Sequence, residues 1–150
     1  MNKEELKRIL PHREPMLLVD ESDVIEEPSG SGEKIAVGSY TVRGDEWFLQ
    51  GHFPGNPVVP GVILCEMMAQ NCCVLLSRGQ REPDGGENPA TPMFTGLTGV
   101  KFRNPVKPGD RLELECRIER AKEPFYFAKG KGAVNGKLCV SGEFSFALVR

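Results

Sequence analysis

The chain has 150 residues, 39% of them hydrophobic and 27% charged, with a net charge of −2; this is the make-up of one ordinary folded domain, spanning 1–150. A chain this long buries roughly 70% of its unfolded surface, so it needs neither a disulfide framework nor a structural metal to fold. Disordered and collagen-like chains are excluded, no apolar run of about 18 residues exists to span a bilayer, and the N-terminal MNKEELKRIL is too charged for a secretory signal, so the cytoplasm is the expected compartment.

In chain order, Lys3–Leu10 suits a short helix ended by Pro11. Met16–Val19 and Val24–Ile25 read as one interrupted strand. Glu33–Arg43 reads as a second strand, whose alternation changes phase at Gly38–Ser39 and so predicts a bulge there. Residues 44–60 form a loop rich in Gly and Pro. Val62–Arg78 contains no Pro or Gly, follows Pro60 and stops at Gly79. It predicts a helix about 25 Å long. Its apolar residues run nearly all round, so burial on every side is expected.

Gly79–Pro92 reads as a mobile surface loop. Leu97–Arg103 predicts a strand. Leu112, Leu114, Cys116 and Ile118 alternate with charged residues, as in a half-buried strand. Phe125–Val134 and the run from Leu138 to Leu148 flank Asn135-Gly136, which favours a type I′ hairpin. The expected fold is α+β: an antiparallel meander around one central helix. Five cysteines, odd in number and without a CxxC, read as reduced core residues. With only two histidines, no metal-ligand spacing appears.

Charge is unevenly spread. Residues 1–96 carry 8 basic and 15 acidic side chains; residues 97–150 carry 11 and 6. The second part can present a basic face to an acidic partner. No basic run interleaved with aromatics points to nucleic acid.

The unusual chemistry lies in QGHFPGNPVVPGVILCEMMAQ, residues 50–70. Pro54, Pro57 and Pro60 stiffen the loop that carries His52. Glu66 stands in the second turn of an otherwise apolar helix, where a buried acid is pushed toward its protonated form. Gln70, four residues on, shares its helix face and is placed to orient the carboxyl. The free N–H groups after Pro60-Gly61 suit a developing negative charge. A base, an acid and an oxyanion site fit proton abstraction beside a carbonyl. Each residue also has a plain structural reading: His52 satisfied by backbone, Glu66 paired with a basic residue, Gln70 structural. His12 reads more readily as a packing or capping residue.

This segment resembles the signature of (3R)-hydroxyacyl-[acyl-carrier-protein] dehydratases of the FabZ type. LPHREPMLLVDE, GLTGVKFRNPVKPGDRLELE and GAVNGKLCVSGEFSFALV resemble that family's opening, strand-turn-strand and final hairpin, in collinear order. The resemblance implies the hot-dog fold, a long helix wrapped by a curved antiparallel sheet. It implies a homodimer, often a trimer of dimers, with each site shared between subunits. His52 would remove the C2 proton, and Glu66 of the other subunit would protonate the leaving hydroxyl. The amide near Gly61 would hold the thioester carbonyl. Phe53, Pro60, Val62 and Gln70 would join the substrate site. Acyl carrier protein would dock on Arg103 and Lys101. No cofactor, metal or nucleic acid is implied, and no membrane.

Related dehydratase-isomerases carry aspartate at the acidic position, so Glu66 implies dehydration without isomerisation. Two features depart from the family's pattern: Met67 where a small residue is usual, and the polar loop Gly79–Pro92. Both bear on the acyl tunnel. The same fold also serves thioesterases and non-catalytic carrier-binding modules, which remain the alternatives.

Overall fold

A computed structural model describes residues 1–77 and 91–149. Helix α1, Lys3–Leu6, opens with a capping box: the Asn2 side chain accepts from Glu5 N, and the Glu5 carboxylate accepts from Asn2 N. Turn bonds from Ile9 N and Leu10 N to Leu6 O carry the chain on to Leu10. The apolar run at Met16–Val19 is not a strand. Leu17, Leu18 and Val19 are buried, but their backbone meets a side chain instead of a ladder. Leu18 N donates to Gln70 Oε1, and Met16 O accepts from Gln70 Nε2.

Six strands follow: β1, Glu21–Glu26; β2, Lys34–Thr41; β3, Thr91–Phe102; β4, Arg111–Lys122; β5, Phe125–Val134; and β6, Lys137–Val149. They form one antiparallel sheet in the order β1-β2-β4-β5-β6-β3. A simple meander would have set β3 beside β2. Helix α2, Gly61–Ser77, intervenes in the chain between them, and β3 pairs with β6 at the far edge. Period-2 alternation tells which face a strand buries, not which strand lies beside it.

The bulge expected at Gly38–Ser39 is absent: β2 runs in unbroken register against β1 and β4. Gly38 serves a close approach. A Cβ there would lie 2.4 Å from Asn71 Oδ1 and 2.7 Å from Glu21 O. Asn71 is buried, accepts from Ser22 Oγ and donates to Ala36 O. Irregularities occur instead in β3 between Phe94 and Gly96 and between Thr98 and Lys101, in β4 between Ile118 and Arg120, and in β5 between Gly132 and Ala133. The β5–β6 turn has positive φ at both Asn135 and Gly136, as a type I′ turn requires.

The sheet holds α2 against β1, β2, β4, β5 and β6. Leu112, Leu114 and Cys116 of β4 and Phe144 and Phe146 of β6 meet Leu64, Met67, Met68 and Val74 of the helix in one core. Met67 is fully buried in it. All five cysteines are buried and free. Burial is not complete around the helix, contrary to the expectation from its composition. Val62 is 74% exposed, and Glu66 and Ala69 are only partly covered. These three lie one turn apart on one open flank. Arg78 and residues 79–90 of the expected loop lie outside the described residues; Thr91 and Pro92 already belong to β3. Pro92 fits there because β3 is an edge strand.

Candidate active site

The loop leading into α2 is held by its own backbone. The buried Glu46 carboxylate accepts from Arg43 N and Gly44 N. A 3₁₀ turn at Trp47–Leu49 follows. His52 N then bonds to Leu49 O, Val58 N bonds to His52 O, and Phe53 and Asn56 exchange a reciprocal backbone pair. The His52–Phe53 peptide is cis, and the two rings stack with centroids 4.3 Å apart. The two backbone hydrogen bonds and the Phe53 ring hold His52 in place.

His52 Nδ1 lies 2.9 Å from Val58 O. A carbonyl only accepts, so Nδ1 carries the proton and Nε2 presents a lone pair. The ring lines a cleft of about 560 Å³ together with Pro60, Gly61, Val62, Phe102 and Arg103. Pro60 O accepts from both Ile63 N and Leu64 N. The Gly61 and Val62 N–H groups therefore lead the helix without an intrahelical acceptor. Gly61 permits a close approach: a Cβ there would stand 2.8 Å from Phe102 Cζ. Arg103 is anchored at the rim by its backbone N–H to Cys139 O.

The other expected residues lie elsewhere in the chain's own fold. Glu66 does not line the His52 cleft. It is partly buried rather than buried, with 23% of its side chain exposed. Gln70 Nε2 donates to Glu66 Oε1 at 2.9 Å. Gln70 is itself 1% exposed and outside the cleft, its amide already engaged by Leu18 N and Met16 O. Phe53 is exposed and touches the site by stacking on His52. Lys101 is exposed on β3 and does not reach the cleft, whereas Arg103 does.

Sequence reasoning passed over His12. Its Nε2 lies 3.6 Å from Glu66 Oε1. Burial holds its pKa below the usual histidine value, with Glu66 acting in the opposite sense. In the sequence His12 stands a few residues before the apolar run Met16–Val19. What brings that run to Glu66 is the Gln70 side chain, which no local pattern reveals. A second depression of about 460 Å³ lies over β1, β2 and β4 and contains neither His52 nor Glu66. Among the described residues no helix is long and apolar enough to cross a membrane.

Residues 10–143 match the FabA-like domain family. A 3-hydroxyacyl-[acyl-carrier-protein] dehydratase FabZ of Thermomicrobium roseum is 41% identical over 145 residues, 97% of this chain and 91% of that protein. The FabZ of Clostridium beijerinckii is 37% identical over 148 residues, 99% of both chains. Among solved structures, the dehydratase heterocomplex ApeI:P from Xenorhabdus doucetiae superposes with a TM-score of 0.77 at 25% identity, covering 97% of this chain and 91% of that one. The E. coli PaaI protein of the phenylacetic acid degradation operon aligns with a TM-score of 0.58 at 16% identity, over 84% and 82%, a likeness of fold alone. A six-stranded antiparallel sheet around one long helix is the hot-dog fold. With near-full-length identity of about 40% to FabZ proteins, this chain belongs to the FabA-like family and, within it, to the FabZ-type 3-hydroxyacyl-[acyl-carrier-protein] dehydratases.

Proposed function

We propose that the His52 cleft dehydrates a (3R)-3-hydroxyacyl thioester, carried on acyl carrier protein, to the trans-2-enoyl thioester in fatty acid biosynthesis in the cytoplasm. The observation that carries this reading is the Nδ1–Val58 bond, which makes His52 Nε2 a base fixed beside two free helix N–H groups. Nε2 takes the C2 proton while the Gly61 amide, with Val62, receives the charge that develops on the thioester oxygen. The electron pair of the broken C2–H bond forms C2=C3. The C3–O bond breaks, and the hydroxyl leaves as water with a proton from Glu66. Solvent then returns the histidine's proton to the carboxylate.

Glu66 stands outside the cleft of its own chain. The acid is therefore supplied by a second copy, and each composite site lies in a homodimer that assembles further as a trimer of dimers. Two features support the dimer. The helix flank Val62, Glu66 and Ala69 is open. Among the described residues the outer edge of β3 has no strand beside it, and β3 exposes Met93, Phe94, Leu97 and Phe102, the kind of edge a second chain covers. Arg103 at the rim meets the acidic carrier, with Lys101 farther along β3.

The test is an assay with a (3R)-3-hydroxyacyl carrier-protein thioester that follows enoyl product and free thiol together. Enoyl product that disappears in His52→Ala is expected. Free thiol without enoyl product would make the chain a thioesterase. Neither product, across several acyl lengths, would leave only a carrier-binding role.

A further inference from the structure

We propose that His12 is a positioning residue for Glu66: together with Gln70 it occupies carboxyl oxygen Oε1, so that the carboxyl proton and the substrate contact fall to Oε2. This rests on the reading of Glu66 as the acid of the site.

Two donors converge on one oxygen. Gln70 Nε2 reaches Glu66 Oε1 at 2.9 Å, and His12 Nε2 stands 3.6 Å from the same atom. Gln70 cannot turn away, because its amide also holds Leu18 N and Met16 O, each at 2.8 Å. Nor is His12 loose. The Arg13 guanidinium spends its donors on the carbonyls of Lys7, Leu10 and His12, pinning this stretch of backbone.

The histidine's tautomer follows from burial. Among the described residues, His12 Nδ1 is the buried side-chain nitrogen or oxygen left without a hydrogen-bond partner. A proton there would be a buried donor with nothing to accept it, whereas a bare lone pair costs less. The neutral ring therefore carries its N–H on Nε2, facing Glu66. A second proton is disfavoured by burial and by Arg13, against the pull of Glu66. Among the described residues, the other titratable groups that feel Glu66 are Cys65 and Cys73 of its own helix. Their thiols are held above the ordinary value, by burial first and by the Glu66 charge, and so stay neutral.

Oε1 already accepts from Gln70 and is the oxygen that His12 Nε2 faces, which leaves Oε2 to carry a proton. When Glu66 is protonated, the proton sits on Oε2. The 3.6 Å separation is long for a hydrogen bond, and such contacts tighten as substrate fills a site.

The test compares three variants of the assembled enzyme with Glu66→Gln. His12→Phe keeps a ring and loses the donor. His12→Asn offers a donor only where Nδ1 stood. His12→Gln restores one where Nε2 stood. His12→Phe should lower kcat about tenfold at unchanged KM, the effect of losing one ordering hydrogen bond. The kcat–pH profile should change as well, because the neutral ring that faces the carboxyl is gone. His12→Gln should recover most of both. If His12→Phe does not fold, His12→Asn takes its place with the same expectation. An unchanged kcat and pH profile per folded site in these two variants would overturn the proposal, as would His12→Gln being equally impaired. An active Glu66→Gln would instead remove Glu66 from the acid role, a separate and distinguishable failure.

Discussion

Gly61→Ala probes the site through one added methyl group. A Cβ at Gly61 would lie 2.8 Å and 2.9 Å from Phe102 Cζ and Cε1. Carbon atoms in contact prefer about 3.5–4.0 Å, so the ring must retreat by roughly 0.7 Å. Phe102 is 54% exposed in the single subunit, where it has space to move. Overpacking costs about 1–2 kcal/mol here, offset by up to about 1 kcal/mol from replacing a helical glycine with alanine. The net cost is therefore at most about 2 kcal/mol, a fall in Tm of up to about 8 °C. Catalysis should change as well, because the displaced ring lines the same cleft as Gly61 and Val62. Disturbing one oxyanion donor by about 1.4 kcal/mol lowers kcat/KM about tenfold. Steady-state kinetics with calorimetry on Gly61→Ala, Phe102→Ala and the double variant decide it. In the Phe102→Ala background the added methyl should have almost no effect. An equal loss in both backgrounds, or unchanged kcat/KM in Gly61→Ala, would refute the reasoning.

Mixing inactive His52→Ala with inactive Glu66→Gln should restore about one quarter of wild-type activity at equal proportions, since half the dimers are mixed and each holds one intact composite site; no recovery after confirmed subunit exchange would rule out a shared site. Arg103→Glu should raise KM for carrier-linked substrate far more than for a small thioester analogue, and equal effects would take Arg103 off the docking surface. Gln70→Leu leaves Leu18 N and Met16 O without partners and should cost about 2–5 kcal/mol in denaturant unfolding; a loss below about 1 kcal/mol would show that the N-terminal segment is held by other means. Burial pushes the Cys72 and Cys73 thiols well up, with Cys116 adding to the first and Cys72 to the second, so an aromatic disulfide reagent at neutral pH should label neither until the protein unfolds, as read by mass spectrometry.

Where a feature is local, the chain alone announced it. Helix α2 follows Pro60, and its body is the Pro- and Gly-free run from Val62 to Ser77. Asn135-Gly136 supplies the two positive φ angles that a type I′ hairpin needs, and alternation marks β4. Residues 50–70 likewise made His52 and Glu66 the candidates, because an unusual base and acid stand out against Gly/Pro-rich and apolar surroundings.

Other features were decided by the assembled fold. The Met16–Val19 run looks like a strand in isolation, since an apolar stretch reads the same whether its backbone meets a ladder or the amide of Gln70. Gly38 resembles a bulge until Asn71 is seen pressed against it. The neighbours of β3 and the open flank of α2 could not be read from periodicity. His12 reaches Glu66 across some fifty residues of chain. Turn chemistry and periodicity act within a few residues, so they are written where they act. Strand neighbours and site partners are set by burial and hydrogen-bond satisfaction over the whole chain, and those balances exist only once it has closed around α2.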